Sequence, residues 1–295
     1  MKFNDKRAYC KYLKDDKDEM IQQFMALESD LTGKQYSDAI IYGDRNRFKN
    51  VLACNDSWPK ITTGYINASY LLSNQFIATQ YPIASTVDHF WTLLFESESN
   101  LVINLTGSND YLSKSSKYTV SSIIYDNDPI CECRQLTISK SSDNPCGKVG
   151  YLAKTIYYVN FKTWPDQLVP LSKDFEKLIG IVSILDQGKP MIVHCKAGIG
   201  RTGTFILAYH MLKSIKNGTY PDPIDLVKRM RSGRANMIQT DNQFIFALDF
   251  ILTKISKKEK ENTRKQLSSS FNCSNEFSKK LNCSANSLSV SQDSL

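Results

Sequence analysis

An α+β or α/β fold, one domain built on a central twisted mixed sheet flanked by helices, is predicted by the order of elements along this 295-residue chain. Three observations carry the prediction. Strand-like runs crowd the segment up to about residue 162, and helical periodicities dominate from Phe175 onward. Between the later helices, a short apolar strand enters a loop with two glycines that opens directly onto an apolar helix.

The elements follow in order. Met20, Ile21, Phe24, Met25 and Leu27 lie at helical spacing within Lys17 to Glu28. Tyr65 to Tyr70 and Gln75 to Thr79 read as short strands, and Asp88 to Glu96, with Phe90, Trp91, Leu93, Leu94 and Phe95, as a buried helix. Leu101 to Leu105 is a buried strand. Tyr118 to Tyr125, Cys133 to Ser139 and Thr155 to Lys162 then form an antiparallel set, the last two broken by Ser141-Ser142-Asp143-Asn144-Pro145. Phe175 to Leu185 is helical, Met191-Ile192-Val193 a buried strand, and Thr202 to Ile215 a central helix; Pro223 to Met230 and Asn242 to Ile255 give two more. These elements place one domain at residues 1–258. Residues 259–295 are Lys-, Asn- and Ser-rich with few large apolar side chains, a composition expected to remain disordered. Removing them is expected to leave the domain soluble and active on a small aryl phosphate, because the tail has too little apolar surface to offset the entropy of ordering it. An insoluble or inactive truncation would place the tail on the domain.

Composition narrows the function classes. Apolar residues make up 41% and charged residues 23%, a soluble globular balance. No apolar run reaches the roughly 18 residues of a bilayer span. The residues after Met1 carry no signal-like stretch, and Lys2 stands where myristoylation needs glycine, so a reducing, cytoplasmic setting is expected. Eight scattered cysteines fit thiols better than a disulfide framework. The pair Cys131 and Cys133, with Cys146 further on, lacks a second pair at zinc spacing, so no metal is expected there. The net charge of +7 is concentrated at the end, where eight Lys and Arg face four acids from Lys254 on. No basic patch interleaves with aromatics, so nucleic acid is not an expected partner.

The chemistry lies in Val193-His194-Cys195-Lys196-Ala197-Gly198-Ile199-Gly200-Arg201-Thr202-Gly203. Gly198 and Gly200 allow turns that aim successive N–H groups inward, a nest for an anion, and the following helix adds its positive end. A thiol placed there is expected to give up its proton and act as a nucleophile. Arg201 can fold back and hold two phosphate oxygens through its fork.

This segment resembles the signature His-Cys-Ser-Ala-Gly-x-Gly-Arg-Thr-Gly of cysteine-dependent protein tyrosine phosphatases of the non-receptor type. Five further stretches stand in the family's order across about residues 40–255. Asp44 to Val51 resembles the substrate loop Lys-Asn-Arg-Tyr-x-Asp-Val, and Tyr65-Ile66-Asn67-Ala68-Ser69 is similar to Asp-Tyr-Ile-Asn-Ala-Ser. Gln80-Tyr81-Pro82 with Phe90-Trp91 resembles Gln-Gly-Pro…Phe-Trp. Trp164-Pro165-Asp166 resembles the mobile acid loop, and Arg234 to Gln243 resembles Arg-x-x-Met-Val-Gln-Thr-x-x-Gln.

The resemblance implies a single phosphatase domain with a Cys-x5-Arg phosphate loop between a strand and a helix. It also implies roles. Cys195 would be the nucleophile, Arg201 the phosphate clamp, Asp166 the acid and then base, and Gln239 and Gln243 the residues that position water. The phosphate would lie on Lys196, Ala197, Gly198, Ile199, Gly200 and Arg201, with Phe48 and Asn50 along the substrate and Gln239 beside it. His194, Thr202, Trp164, Pro165 and Arg234 would support the site. No cofactor or metal is implied; phosphotyrosine proteins are the expected partners, and a monomer is expected. Less specifically, the chain resembles the tyrosine phosphatases of polydnaviruses (bracoviruses), which implies action on host signalling or adhesion proteins in the host cytoplasm.

Four positions depart from the pattern. Lys196 stands where Ser is usual and Phe48 where Tyr is usual, so a family hydroxyl pair is jointly absent. The Cys-Lys-Ala-Gly opening is also similar to phosphoinositide phosphatases, which keeps a lipid or polyphosphate substrate as an alternative to phosphotyrosine; a binding-only pseudophosphatase would lack Cys195, Arg201 or Asp166. Lys196 is expected at the pocket mouth, attracting anionic substrates without touching the chemistry. Asn50 replaces an Asp that grips peptide backbone. Leu168 replaces a Gly, and its side chain is expected to resist the backbone geometry that glycine permits and to slow closure of the acid loop.

Overall fold

Alternation along short, fully buried strands sorts this core into two layers, one on each face of a single sheet. The computed structural model of the protein describes residue 3 and residues 5–28, 33–143 and 149–260, with backbone alone at 141–143, 149–151 and 257–260. Cys146, Cys273, Cys283 and residues 261–295 of the tail lie outside the described residues. The strands are β1 Ala68–Leu71, β2 Phe76–Thr79, β3 Leu101–Asn104, β4 Thr119–Asn127, β5 Cys131–Asp143, β6 Val149–Phe161 and β7 Met191–His194. Their order across the sheet is β1-β2-β7-β3-β6-β5-β4. The inner four, β2, β7, β3 and β6, run parallel, and β1, β5 and β4 add antiparallel pairs outside them. The mixed sheet expected from sequence is the one observed.

The helices are α1 Lys6–Asp15, α2 Lys17–Met25, α3 Ser37–Ile41, α4 Val87–Glu96, α5 Ser172–Leu185, α6 Gly200–Lys216, α7 Pro223–Gly233 and α8 Asp241–Lys260. Phe76, Ala78, Leu101, Ile103, Met191 and Val193 point into one layer with residues of α1, α2 and α5 to α8, including Phe175, Phe205 and Phe244. The alternate residues Ile77, Val102 and Ile192 meet Phe90, Trp91 and Leu94 of α4 on the other face. This period-two division fixes the register, since a slip of one residue would exchange the faces.

Several elements differ from the sequence expectation, among them α3, which it does not contain. α1 has only Tyr9 and Leu13 fully buried, one turn apart, so its periodicity is faint; Asp5 caps it through the Ala8 N–H at 2.7 Å, and the Tyr9 hydroxyl donates to the Pro221 carbonyl at 2.5 Å. β5 and β6 run on as a long hairpin through Asp143 and from Val149, pairing polar residues that carry little strand signal. α8 continues to Lys260, past the expected end at Ile255. Cys131 and Cys133 lie buried on one face of β5, and burial pushes the Cys131 thiol up to about 12. Among the described residues no helix is long and apolar enough to cross a membrane.

Candidate active site

Loops leaving the carboxyl ends of the four parallel strands converge at one place, the usual position for a site on such a sheet. Cys195 follows β7, Gln80 and Tyr81 follow β2, Leu105 follows β3, and the segment with Trp164 follows β6. The loop 195–199 then runs straight into α6.

Its backbone is held from outside, carbonyl by carbonyl. The Tyr81 N–H donates to the Lys196 carbonyl at 3.1 Å, Arg234 Nη2 to the Ala197 carbonyl at 3.0 Å, and Arg234 Nε to the Gly198 carbonyl at 2.9 Å. The Ile199 carbonyl accepts from the Gly203 N–H at 2.8 Å and the Ile238 N–H at 3.2 Å. With four successive carbonyls turned outward, the amide dipoles of the loop point toward its concave side. The Gly198 N–H lies 3.3 Å from Cys195 Sγ. The opening N–H groups of α6 have no carbonyl one turn earlier to receive them. Gly198 has φ +72°, and a Cβ there would meet the Thr79 carbonyl oxygen at 2.2 Å, so glycine is required twice over.

Arg234 is buried and also donates to Asn67 Oδ1 at 2.6 Å, which binds the loop to the Tyr-Ile-Asn-Ala-Ser segment. Its charge persists at neutral pH although burial draws its pKa down to about 10. Asn67 in turn donates to Asn46 Oδ1 and the Val51 carbonyl, and Arg47 donates its backbone N–H to Gln80 Oε1 at 2.8 Å. Those bonds fix the loop carrying Phe48 and Asn50 against the strand end that holds Lys196. Phe48 and Asn50 are both exposed.

Cys195 and Arg201 are both nearly buried. Arg201 Nη1 donates to the carbonyls of Leu105 at 3.1 Å and Trp164 at 2.9 Å, while Nη2 donates to Asp166 Oδ1 at 2.8 Å. The other carboxylate oxygen of Asp166 is 3.6 Å from Lys196 Nζ. Lys196 was expected to stand clear of the chemistry, and this contact corrects that: its ammonium faces the candidate acid. The acid loop also departs from expectation. The left-handed backbone falls on Gln167, φ +61°, and not on Leu168, whose carbonyl accepts the Trp164 indole N–H at 2.9 Å. Leu168 therefore meets no backbone penalty from this geometry.

Gln239 and Gln243 both reach the first turn of α6, their amide oxygens 3.1 and 3.0 Å from where a Gly200 Cβ would stand. Gln243 Oε1 accepts the Gln239 N–H at 3.1 Å. Ile238, directly before Gln239, holds φ +64°, a costly conformation for a β-branched residue. Three buried polar atoms here, Arg201 Nε, Thr202 Oγ1 and Gln243 Nε2, have no hydrogen-bond partner among the described residues. A bound polar ligand would supply partners for them.

His194 is fully buried below the loop, its Nε2 2.8 Å from the Tyr111 hydroxyl, which is 3.3 Å from the Tyr158 hydroxyl. Burial, with the nearby Arg201 charge, lowers its pKa to about 3, so the imidazole is neutral at working pH. Tyr81 and Tyr111, which sequence reasoning did not single out, pack on this ring at centroid distances of 5.7 and 5.6 Å. The signal available was their bulk: Tyr81 stands where the resemblance has glycine.

All three histidines are depressed below 6.5, chiefly by burial, His194 to about 3 and His210 to about 4, with His89 also lowered. The unfolded chain then binds more protons than the folded one below pH 6.5, so stability falls as pH drops through that window. His194 alone removes about 2 kcal/mol by pH 5. Urea midpoints are expected to be clearly lower at pH 5 than at pH 7.5, above the range where carboxylates titrate; equal midpoints would contradict the buried neutral imidazoles.

An open cavity of about 430 Å³ beside the turn between β1 and β2, lined by Cys54, Leu72, Arg229 and Gly233 among others, shares no residue with the phosphate loop.

A family model described as protein-tyrosine phosphatase matches residues 42–253. The phosphatidylinositol phosphatase PTPRQ of Rattus norvegicus is 30% identical over 270 residues, covering 80% of this chain and 11% of that protein. Tyrosine-protein phosphatase 2 of Dictyostelium discoideum is 31% identical over 232 residues, 70% of this chain and 59% of its own length. Tyrosine-protein phosphatase non-receptor type 20 of Homo sapiens is 28% identical over 262 residues, 81% and 61% respectively. The chain thus spans 11–61% of the length of these curated relatives.

Proposed function

The chain belongs to the protein-tyrosine phosphatase family, and on that premise we propose that it hydrolyses phosphotyrosine in proteins through a phosphocysteine intermediate on Cys195. The observation that carries the reading is the pairing of Cys195 with Arg201 across an amide-lined loop whose carbonyls are all held outward. The phosphate of the substrate lies in the loop, with Arg201 on its oxygens in place of Asp166. Cys195 Sγ attacks phosphorus as the P–O bond to the phenol breaks, and Asp166 protonates the leaving oxygen. Asp166, now ionised, takes a proton from a water held by Gln239 and Gln243. That water attacks phosphorus, the P–S bond breaks, and phosphate leaves with Cys195 restored as thiolate. Phe48 lines the slot against the phenol ring, a depth that phosphoserine does not fill. Host signalling or adhesion proteins are the proposed substrates if the chain is viral.

A second reading, hydrolysis of a phosphoinositide or soluble polyphosphate, rests on the Lys196 ammonium at the loop and on the similarity to the phosphatidylinositol phosphatase of the rat. One assay separates the readings: a phosphotyrosine peptide, its phosphoserine counterpart and a soluble inositol phosphate offered at equal concentration. Turnover confined to phosphotyrosine is expected. Faster turnover of the inositol phosphate would overturn that order.

A further inference from the structure

The contact between Lys196 and Asp166 gives the phosphate loop a second task. Pro165, Asp166, Gln167 and Leu168 are all exposed, so no buried side chain holds the tip of the acid loop. Its position rests on the Trp164 indole bond to the Leu168 carbonyl and on the two oxygens of Asp166, one facing Arg201 and the other Lys196. The two cations differ in what they can do during a reaction. Arg201 is fixed by the carbonyls of Leu105 and Trp164, and its free edge is where a phosphate must bind. A bound phosphate therefore takes Arg201 Nη2 from the carboxylate, and Asp166 keeps a single cationic neighbour. Lys196 is well placed to be it: its main chain is held through its carbonyl by Tyr81, and its side chain is free to follow the carboxylate across a few ångströms.

We propose that Lys196 is a positioning residue for Asp166, an ammonium latch on the unprotonated oxygen of its carboxyl that keeps the acid loop over the phosphate loop, the proton on the other oxygen, after Arg201 has turned to the substrate. The inference rests on the reading of Asp166 as the general acid. Both partners are about half exposed, so the latch is screened and modest; its loss is expected to change rates by two- to fivefold. The lysine does not exchange protons with the substrate. It raises the fraction of bound complexes in which the carboxyl meets the leaving oxygen, so its effect on phosphocysteine formation is largest where the leaving group needs a proton.

The test is a double-mutant cycle read on two substrates. Lys196→Met is expected to slow phosphocysteine formation, read in a single turnover, two- to fivefold for a phosphotyrosine peptide, with KM changed less, and by a clearly smaller factor for an aryl phosphate whose leaving group departs without protonation. Lys196→Arg should restore most of the loss, and raised salt should shrink the difference between the native protein and Lys196→Met. In an Asp166→Asn background, Lys196→Met should have no further effect on kcat. If the same factor is lost in that background, or if KM rises equally for both substrates, the lysine acts on the phosphate and the latch is overturned. No change on any substrate at low salt overturns it as well. Failure of the underlying reading looks different: Asp166→Asn would by itself leave kcat for the peptide unchanged.

Discussion

Cys195→Ser is expected to bring phosphotyrosine turnover to background while leaving binding of a phosphotyrosine peptide within a few-fold of the native value. A serine hydroxyl keeps its proton at neutral pH and is a far weaker nucleophile than a thiolate. The binding groups do not depend on the sulfur. Arg234 and Tyr81 still hold the loop carbonyls outward, and Arg201 is still braced by Leu105 and Trp164. Calorimetry with the peptide, alongside a phosphate-release assay, separates the two effects. Hydrolysis near the native rate would remove Cys195 as nucleophile, and loss of binding together with turnover would mean that the thiol organises the loop.

Asp166→Ala is expected to lower kcat for a phosphotyrosine peptide by about 10²–10⁴, the scale of a lost general acid. The loss should be smaller for an aryl phosphate whose leaving group needs no proton, since only the activation of water then depends on Asp166. A second consequence follows from the geometry. In the free protein the Asp166 carboxylate occupies Arg201 Nη2 at 2.8 Å, where it competes with an incoming oxyanion. Removing it should tighten the binding of inorganic phosphate as well as trap the peptide. A kcat unchanged for the peptide would exclude Asp166 as the acid, and phosphate binding weaker than native would contradict the competition.

The parts of this account legible in the sequence are the local ones. Strands β2, β3 and β7 are short apolar runs bounded by polar residues, and the eleven consecutive residues Val193 to Gly203, from the end of β7 into α6, carry the chemistry. The sheet order was not legible, because nothing in Met191 to Val193 says that its neighbours are β2 and β3. α1 stayed hidden because its partners lie more than two hundred residues away, the Pro221 carbonyl on the Tyr9 hydroxyl and Ser256 of α8 beside Cys10. In the site, the relay from His194 to Tyr111 joins positions 83 residues apart, and its partners are tyrosines that also serve as core. The direction of the Lys196 side chain is set by where the acid loop rests. Sequence placed that lysine at the rim but could not turn it toward Asp166. The same holds for Gln167, which takes the left-handed turn that the resemblance had assigned to its neighbour.

The nucleophile itself is open to direct observation. Gln243 is fully buried with its amide oxygen on the Gln239 N–H, so Gln243→Ala should slow attack of water on the intermediate more than its formation. That variant, mixed with excess phosphotyrosine peptide, quenched in acid within one turnover and digested, is to be read by mass spectrometry. The account predicts one added phosphoryl group on the peptide containing Cys195, appearing with released tyrosine peptide and decaying as phosphate forms. A phosphoryl group on any other residue, or a burst of dephosphorylated peptide with free phosphate and no adduct at any time point, would contradict it.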